Sequence, residues 1–253
     1  MLVTENEVYR YSIDTSDGEK GVLKQLYFDD EHWTIRYLVV DTHKWIPGRK
    51  ILLSPLSIDH LDHENEAISV SLTSEEVKDS PDIDTEQPIS RKHEMEINRH
   101  FSWPYYWVGT GAWGSGMYPR PFMAEDMVEE DSHLQSSNEE KDENHLRSTK
   151  EIAGYHIHAT DGEIGHVKDF IFDQETWKLR YFVIDTKNVL PGKEVLLSTK
   201  WVTDIHWQDR TVQVNVKKED IRNAPEYRLN EPISRRFEED LHTHYGKTGY
   251  WKF

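Results

Sequence analysis

The feature that most constrains the fold is an internal repeat at a spacing of 144 residues. Shifting the sequence by 144 positions aligns residues 8–107 with residues 152–251 without a gap, and 32 of the 100 pairs are identical. A match of this length is far longer than the about 20–45-residue unit of a solenoid, so each copy can form a core of its own. We therefore predict two copies of one domain, residues 1–107 and residues 148–253.

The region between the two copies differs from both in composition. Residues 108–147 open with a glycine-rich stretch from Gly109 to Gly116 and continue into an acidic run from Glu125 to Glu143, which holds nine carboxylates and one lysine. Glycine interrupts regular structure, and like charges repel one another. We therefore predict a largely disordered linker. Four apolar side chains within it are expected to dock locally on a folded copy: Trp113, Tyr118, Phe122 and Met123.

The net charge of the chain is −17, and it is spread unevenly. Residues 1–107 carry −10, residues 108–147 carry −6 and residues 148–253 carry −1. An acidic chain repels a phosphate backbone, so we expect no broad nucleic-acid binding. The difference between the copies has two interpretations: they face different neighbours, or a solvated surface drifted after duplication. The sequence leaves both open.

Several classes of site are excluded by composition and motif. The chain has no cysteine, which excludes disulfides, thiolate zinc sites, iron–sulfur clusters and a cysteine nucleophile. It also contains no Gly-x-Ser-x-Gly elbow and no phosphate-binding glycine loop followed by lysine. We therefore expect neither an enzyme nor a bound cofactor.

The same inspection predicts where the chain resides. The start, Met1 to Glu7, lacks the basic and apolar regions of a signal peptide, and no run approaches 18 apolar residues. We expect a cytoplasmic protein without membrane insertion, in which peripheral association with the inner membrane stays open.

The sequence of each copy predicts a series of short strands followed by a helix. The second copy has six strand-like segments separated by turn residues and no crossover helix, which is typical of an antiparallel barrel or sandwich. A helix is predicted to follow, with Ser234 as its N-cap and Phe237, Leu241 and Tyr245 on one face. The first copy repeats this pattern after Ser90. The fold class is therefore mainly β, with a short helical tail on each copy.

One run of residues resembles a known family. In the first copy Tyr37 to Thr42 is followed by Ile46 to Ser54, and the second copy matches it from Tyr181 to Ser198. This order resembles the PRC-barrel family, which includes the cytoplasmic domain of the photosynthetic reaction-centre H subunit. The resemblance covers roughly residues 7–80 and 151–224. It implies two tandem, small, antiparallel six-stranded β-barrels, as in the bacterial double-barrel members of that family.

Most of the shared motif residues are predicted to build turns. Asp-Gly and Pro-Gly pairs favour tight turns because Asp bonds to nearby backbone and Gly accepts a positive φ. The predicted turn residues are Asp17, Gly18, Gly21, Pro47, Gly48, Asp161, Gly162, Gly165, Pro191 and Gly192. A loop that binds a cation is the alternative for the two Asp-Gly pairs.

The best metal-like group by residue type is weak. His60, Asp62 and His63 lie at a predicted strand end, but alternation sends His60 and His63 to opposite sides of the strand. The second copy does not keep the set. We expect no metal site and retain these three residues as the candidates.

The start of each helical tail and the end of each copy are candidate interaction surfaces. The basic pairs are Arg91 with Lys92 and Arg235 with Arg236, and the aromatic ends include Trp107 and Trp251. The basic pairs either grip an anionic group of a partner or pair with Glu94 and Glu239 of their own helices. The aromatic ends are expected to pack on a barrel or in a dimer interface.

Function is predicted as a choice between two classes. The family resemblance implies a non-catalytic protein that docks onto a larger complex, either a membrane-associated photosynthetic or electron-transport complex or a ribosome-assembly complex. The partner's identity is not specified by the residues, and we also expect homo-oligomers. The alternative is a stress or sensor protein that binds a small molecule or metal in the cleft between the barrels.

Overall fold

The fold was analysed in a computed structural model that describes residues 1–42, 49–85, 88–114, 116–120, 145–186, 193–229 and 231–252. The chain divides into two compact units. The N-unit comprises Val8–Ser148 with Glu175–Lys178, and the C-unit comprises Met1–Glu7, Thr149–Gln174 and Leu179–Phe253. Each unit therefore contains one copy of the repeat and a short piece of the other.

The described residues contain fourteen strands. In chain order they are β1 (Leu2–Thr4), β2 (Ser12–Asp14), β3 (Lys20–Asp29), β4 (Thr34–Asp41), β5 (Lys50–Leu53), β6 (Ile58–Asp62), β7 (Ala67–Val70), β8 (Leu146–Ser148), β9 (His156–Ala159), β10 (Gly162–Asp173), β11 (Leu179–Asp185), β12 (Glu194–Ser198), β13 (Val202–His206) and β14 (Thr211–Val214). They form two seven-stranded sheets, which confirms the mainly β class.

The two sheets have the same strand order. In the N-unit the order is β5-β4-β3-β2-β7-β6, and β8 adds to β3. In the C-unit the order is β12-β11-β10-β9-β14-β13, and β1 adds to β10. The central strands β4 and β11 are buried almost throughout, as their continuous apolar sequence predicts.

Each sheet differs from the predicted antiparallel arrangement in one pair of strands. β2 pairs with β7, and β9 pairs with β14, in parallel. The cause lies between β5 and β6, where the 3-10 turn Pro55–Ser57 carries the chain onward without reversing it. β6 therefore runs in the same direction as β5. Because β7 is antiparallel to β6, it runs parallel to β2.

Six α-helices accompany the strands. They are α1 (Glu5–Val8), α2 (Ser74–Lys78), α3 (Arg91–Phe101), α4 (Thr149–Ile152), α5 (Lys218–Asn223) and α6 (Arg235–His244) among the described residues. The helical tails α3 and α6 begin where the sequence predicts. The Ser90 hydroxyl accepts the His93 N–H at 3.2 Å, and the Ser234 hydroxyl accepts the Phe237 N–H at 3.2 Å.

The seventh strand of each sheet comes from the leading segment of the other copy. β1 precedes the first copy but pairs antiparallel with β10, with Val3 opposite Phe172. β8 precedes the second copy but pairs antiparallel with β3, with Arg147 opposite Phe28. The units therefore differ from the predicted domains at these segments. Val3 and Leu146 are both buried, so each strand places an apolar side chain in the unit that receives it.

Of the four apolar side chains of the predicted linker that were expected to dock, two lie among the described residues, and only one of them is buried. Trp113, within residues 108–147, is buried in the N-unit, and its indole N–H donates to the Thr176 carbonyl at 3.1 Å. Tyr118 is exposed, contrary to the expected docking. Phe122, Met123 and the acidic run from Glu125 to Glu143 lie outside the described residues.

Candidate functional site

Arg36 is a buried cation at the centre of a network of hydrogen bonds and ring contacts in the N-unit. Arg36 is 1% exposed, although it is a charged residue in β4, a strand that is buried almost throughout. Its Nε donates to Asp29 Oδ2 at 2.9 Å, and its Nη1 donates to the Ala112 carbonyl. The guanidinium lies 3.8 Å from the centre of the Tyr106 ring. Arg36 therefore joins β3, β4 and the aromatic end of the first copy.

Helix α3 adds a carboxylate to the same network. The Tyr106 hydroxyl donates to Glu94 Oε2 at 2.9 Å, and Arg91 Nη1 lies 3.0 Å from Glu94 Oε1. Arg91 also donates to the Tyr106 hydroxyl at 3.0 Å. The Tyr37 hydroxyl, from β4, donates to Asn98 of the same helix at 3.4 Å. These bonds fasten α3 and the segment after it to the sheet.

Burial controls the protonation of Glu94. It raises the pKa of the Glu94 carboxyl from 4.5 to about 7, against the opposing effects of Arg91 and the hydroxyl donors. Burial also favours the neutral form of Asp29, but the hydrogen bond with His32 and the Arg36 charge hold the pKa of Asp29 well below its ordinary value. The network thus contains one firmly ionised carboxylate and one that can take up or release a proton near neutral pH.

The C-unit contains the same network in its own sheet. Tyr181 donates to Glu238 Oε1 at 2.8 Å, and Arg235 lies 2.9 Å from Glu238 Oε2. Arg180 pairs with Asp173 at 3.0 Å and lies 3.9 Å from the centre of the Tyr250 ring. The duplication explains why Arg-Tyr in the central strand and Tyr-Trp at the end of each copy are identical in both copies.

One member of the network differs between the units. His242 occupies the position of Asn98, and its Nε2 lies 3.1 Å from the Tyr181 hydroxyl. Burial lowers the pKa of the His242 imidazole. The lower pKa favours the uncharged ring, which packs edge-on against Trp201 and Trp251.

The predicted interaction residues divide into two groups. Arg91 lies 4.0 Å from the Trp107 ring centre, and Arg235 lies 4.3 Å from the Trp251 ring centre. These four residues make contacts within their own units. Arg91 pairs with Glu94, as one interpretation of the sequence had it, whereas Arg235 pairs with Glu238 and not with Glu239. The other members of the basic pairs, Lys92 and Arg236, are exposed, and Arg235 is exposed as well.

The predicted metal candidates take part in other local contacts. The Asp62 carboxylate accepts the backbone N–H groups of Glu64 and Asn65, both at 3.0 Å, and so closes the β6–β7 hairpin. His63 Nδ1 lies 3.4 Å from the Tyr11 hydroxyl. His60 is exposed. Among the described residues, the group whose metal-ligating atoms lie within 4.8 Å of one another is a different one, Asp29 with Glu31 and His32.

That group builds the turn between β3 and β4. Asp29 Oδ1 accepts the backbone N–H of Glu31 at 3.0 Å and that of His32 at 2.8 Å, while Oδ2 accepts from Arg36. His32 Nδ1 lies 3.4 Å from Asp29 Oδ1, and the Asp29 carboxylate raises the pKa of the imidazole. Both oxygens of the buried carboxylate are therefore engaged in protein contacts. The sequence signal for this turn was the contiguous Asp29–His32 run.

The Asp-Gly turns have a second role that the sequence did not indicate. The Asp17 carboxylate accepts the Ser74 N–H at 2.9 Å, and Asp161 accepts the Lys218 N–H at 2.8 Å. Each carboxylate thus reaches the first residue of a short helix, α2 or α5. Hydrogen bonds from the side chains of Thr15 and Ser74 lower the pKa of Asp17 to about 2. The turn therefore fixes the helix against its sheet.

The predicted turn glycines are placed as follows. Gly18, Gly162 and Gly165 have positive φ, whereas Gly21 packs against the Val40 side chain. Four predicted turn residues lie outside the described residues: Pro47, Gly48, Pro191 and Gly192.

No helix in the described part of the chain combines the length and apolar character needed to cross a membrane.

A comparison with curated proteins finds no match to this chain. A family model described as "PRC-barrel domain" matches residues 148–221, which hold strands β9 to β14. The first copy has the same strand order in its own sheet but lies outside the matched residues. Residues 148–221 of this chain therefore match the PRC-barrel domain family.

Proposed function

We propose that this protein is a non-catalytic interaction module that docks onto a larger complex through its exposed surfaces. Two observations support the proposal. The clustered ionisable groups inside each unit bind one another and hold the helical tail in place. The two units also present different charges on the same scaffold.

The charge difference is clearest at one hairpin. In the N-unit the β6–β7 hairpin exposes Glu64 and Glu66, and the equivalent β13–β14 hairpin of the C-unit exposes Gln208 and Arg210. Glu66 and Arg210 have nearly the same backbone conformation, with φ of 50° and 53°. Because the backbone is held constant, the side chains alone set what each hairpin can bind. This observation carries the proposal.

The chemistry of the N-unit hairpin specifies the class of partner. Asp59 is exposed on β6, and the equivalent C-unit residue is the uncharged Thr203. An acidic surface of this kind attracts a partner with a basic protein surface, and attraction between exposed charges weakens as salt rises. We place docking on this hairpin face, defined by Asp59, Glu64 and Glu66. By family resemblance the complex is a membrane-associated electron-transport assembly or a ribosome-assembly complex.

The experiment exchanges surface charge between the two copies. A full-length triple variant carries Asp59→Thr, Glu64→Gln and Glu66→Arg, so that the first copy takes the residues of the second. Crosslinking in cells, followed by mass spectrometry, compares what is recovered with the unchanged chain and with the variant. We expect the unchanged chain to recover one complex reproducibly and the variant to lose it, with no change in thermal unfolding.

The matched control makes equivalent changes in the C-unit, Thr203→Asp, Gln208→Glu and Arg210→Glu. This control keeps the acidic face of the N-unit and is expected to retain the complex. Equal recovery by all three proteins would show that the hairpin face is not the docking surface. Recovery of no protein other than this chain would overturn the docking function itself.

A further inference from the structure

We propose that the edges of β3 and β10 are binding sites for the leading strand of a second copy of this chain, so that two chains form a dimer by exchanging β1 and β8. This inference does not depend on the docking function. It concerns the homo-oligomer that the sequence led us to expect, and it assigns that oligomer an interface.

The C-unit edge binds its strand through a short, defined register. Leu2 pairs with Asp173, Val3 with Phe172 and Thr4 with Ile171. The pairing continues beyond the strand, where the Gln174 N–H donates to the Met1 carbonyl at 3.0 Å. The Asn6 N–H donates to the Asp169 carboxylate at 3.3 Å, although these residues are 163 positions apart in the chain. The bound segment thus extends from Met1 to Asn6.

The N-unit edge binds the equivalent segment in the same way. Leu146 pairs with Asp29, and Ser148 pairs with Tyr27. The Asp30 N–H donates to the His145 carbonyl at 3.0 Å, and Arg147 Nε donates to Asp30 Oδ2 at 3.0 Å. The two edges occupy equivalent positions of the repeat, and so do the two segments that they receive. This repetition marks the pairing as a property of the fold and not of one local sequence.

An unfilled edge would expose groups that the strand covers. Val3 is 1% exposed and Leu146 is 3% exposed, so each strand contributes a core side chain as well as backbone hydrogen bonds. An open edge presents unpaired N–H and C=O groups, which readily pair with another chain. Adding a strand to such an edge is a common mode of recognition.

The acceptor edge cannot distinguish one copy of the chain from another. Its contacts are made by backbone atoms and by side chains that are identical in every molecule of this protein. Concentration therefore decides which strand fills an edge. The strand of the same chain competes at an effective concentration on the order of 1 mM, and the strand of a second molecule competes at the concentration of the protein. Exchange of identical elements is a low-cost route to a dimer for this reason. A second molecule of this protein carries both β1 and β8 and therefore offers a matching strand to each of the two edges.

The test uses the absence of cysteine in the natural chain. One full-length protein carries Leu2→Cys and another carries Asp173→Cys, at positions that face each other in the register. The two proteins are unfolded in urea, mixed and refolded together at a low and at a high concentration. Oxidation followed by mass spectrometry then detects disulfides between chains, since each chain alone holds only one of the two thiols.

The control replaces Asp173→Cys with Asp209→Cys, which places the second thiol on an exposed turn of the same unit. We expect the 2–173 linkage to exceed the 2–209 linkage at least about tenfold at high concentration, because paired Cα atoms lie at disulfide distance. Equal yields of the two linkages would overturn the proposal.

A second measurement needs no substitution. The unmodified chain is refolded at the same two concentrations, and light scattering gives its mass. We expect a species of twice the 30.0 kDa chain mass that increases with concentration. A chain that remains a monomer at both concentrations would overturn the exchange.

Discussion

Glu94 and Tyr106 are joined by a 2.9 Å hydrogen bond inside the N-unit, where the tyrosine donates to a carboxylate that is 2% exposed. The bond connects helix α3 to the aromatic segment that follows it. Arg91 and Arg36 both lie against the Tyr106 ring, at 5.4 and 3.8 Å from its centre. The pair therefore links the protonation of one carboxyl to the attachment of the helical tail.

The first prediction concerns the pH dependence of stability. The pKa of Glu94 is raised from 4.5 to about 7, so the folded state binds more protons than the unfolded state between these pH values. Stability conferred by the protonated form is complete below about pH 4.5 and is lost as pH rises through 7. We expect Glu94→Gln to remove this loss, worth on the order of 3 kcal/mol, in urea unfolding followed from pH 5 to pH 8.

The control for this measurement is Glu96→Gln, an exposed position on the same helix that also loses one negative charge. A Glu94→Gln protein whose unfolding keeps the pH dependence of the unchanged chain would contradict the assignment to Glu94. The conservative amide retains an oxygen that can accept from Tyr106, so the variant tests charge and not the hydrogen bond.

The second prediction compares the two buried arginines. Arg36→Met removes the guanidinium from the buried Asp29 carboxylate and leaves its Oδ2 without that donor, while Oδ1 keeps its contacts with Glu31 and His32. We expect a loss of about 3–5 kcal/mol in the free energy of unfolding. The Arg180 side chain is 15% exposed and its partner Asp173 is 17% exposed, against 1% and 3% in the N-unit pair. Water can therefore solvate Asp173 when Arg180 is removed, and Arg180→Met should cost less. Equal losses in urea unfolding would show that burial does not decide the effect.

The sequence predicted much of the scaffold because the repeat, the Asp-Gly turns and the Ser N-caps act locally. Ser90 and Ser234 each begin a helix in the structure as predicted. Strands β1 and β8 were not predicted. Each has three residues, which is too short for an alternation pattern, and each pairs with a strand far away in the chain.

The network was only partly predictable for a related reason. Arg36 lies in a run of apolar residues. The run predicts a buried strand, but it does not indicate which residue pairs with the Arg36 guanidinium. Asp29 reaches it from the end of the neighbouring strand β3, and Tyr106 reaches it from the segment that follows helix α3. The useful signal in the sequence is that Arg-Tyr and Tyr-Trp are identical in both copies.

The third prediction concerns a buried carboxylate in the C-unit. Burial raises the pKa of Asp169 from 3.8 to about 6, and Oδ2 has no hydrogen-bond partner. The equivalent residue of the first copy is Gln25. We expect Asp169→Gln to stabilise the protein by on the order of 3 kcal/mol above pH 6, with the gain shrinking to nothing below pH 3.8. Thermal unfolding at pH 7.5 and pH 3.5 checks both limits, and a gain that is equal at the two pH values would contradict the explanation.

The last prediction compares two glycines that both have positive φ, 77° at Gly165 and 91° at Gly18. A Cβ at Gly165 would collide with the Asp185 carbonyl, whereas a Cβ at Gly18 would meet no atom within 4 Å. Gly18→Ala therefore carries only the strain of a left-handed residue, roughly 1–2 kcal/mol. Gly165→Ala adds a backbone collision between β10 and β11, worth a further 1–3 kcal/mol or so. Urea unfolding of the two variants measures the difference, and a loss at Gly165 no larger than at Gly18 would show that the strands move apart at little cost.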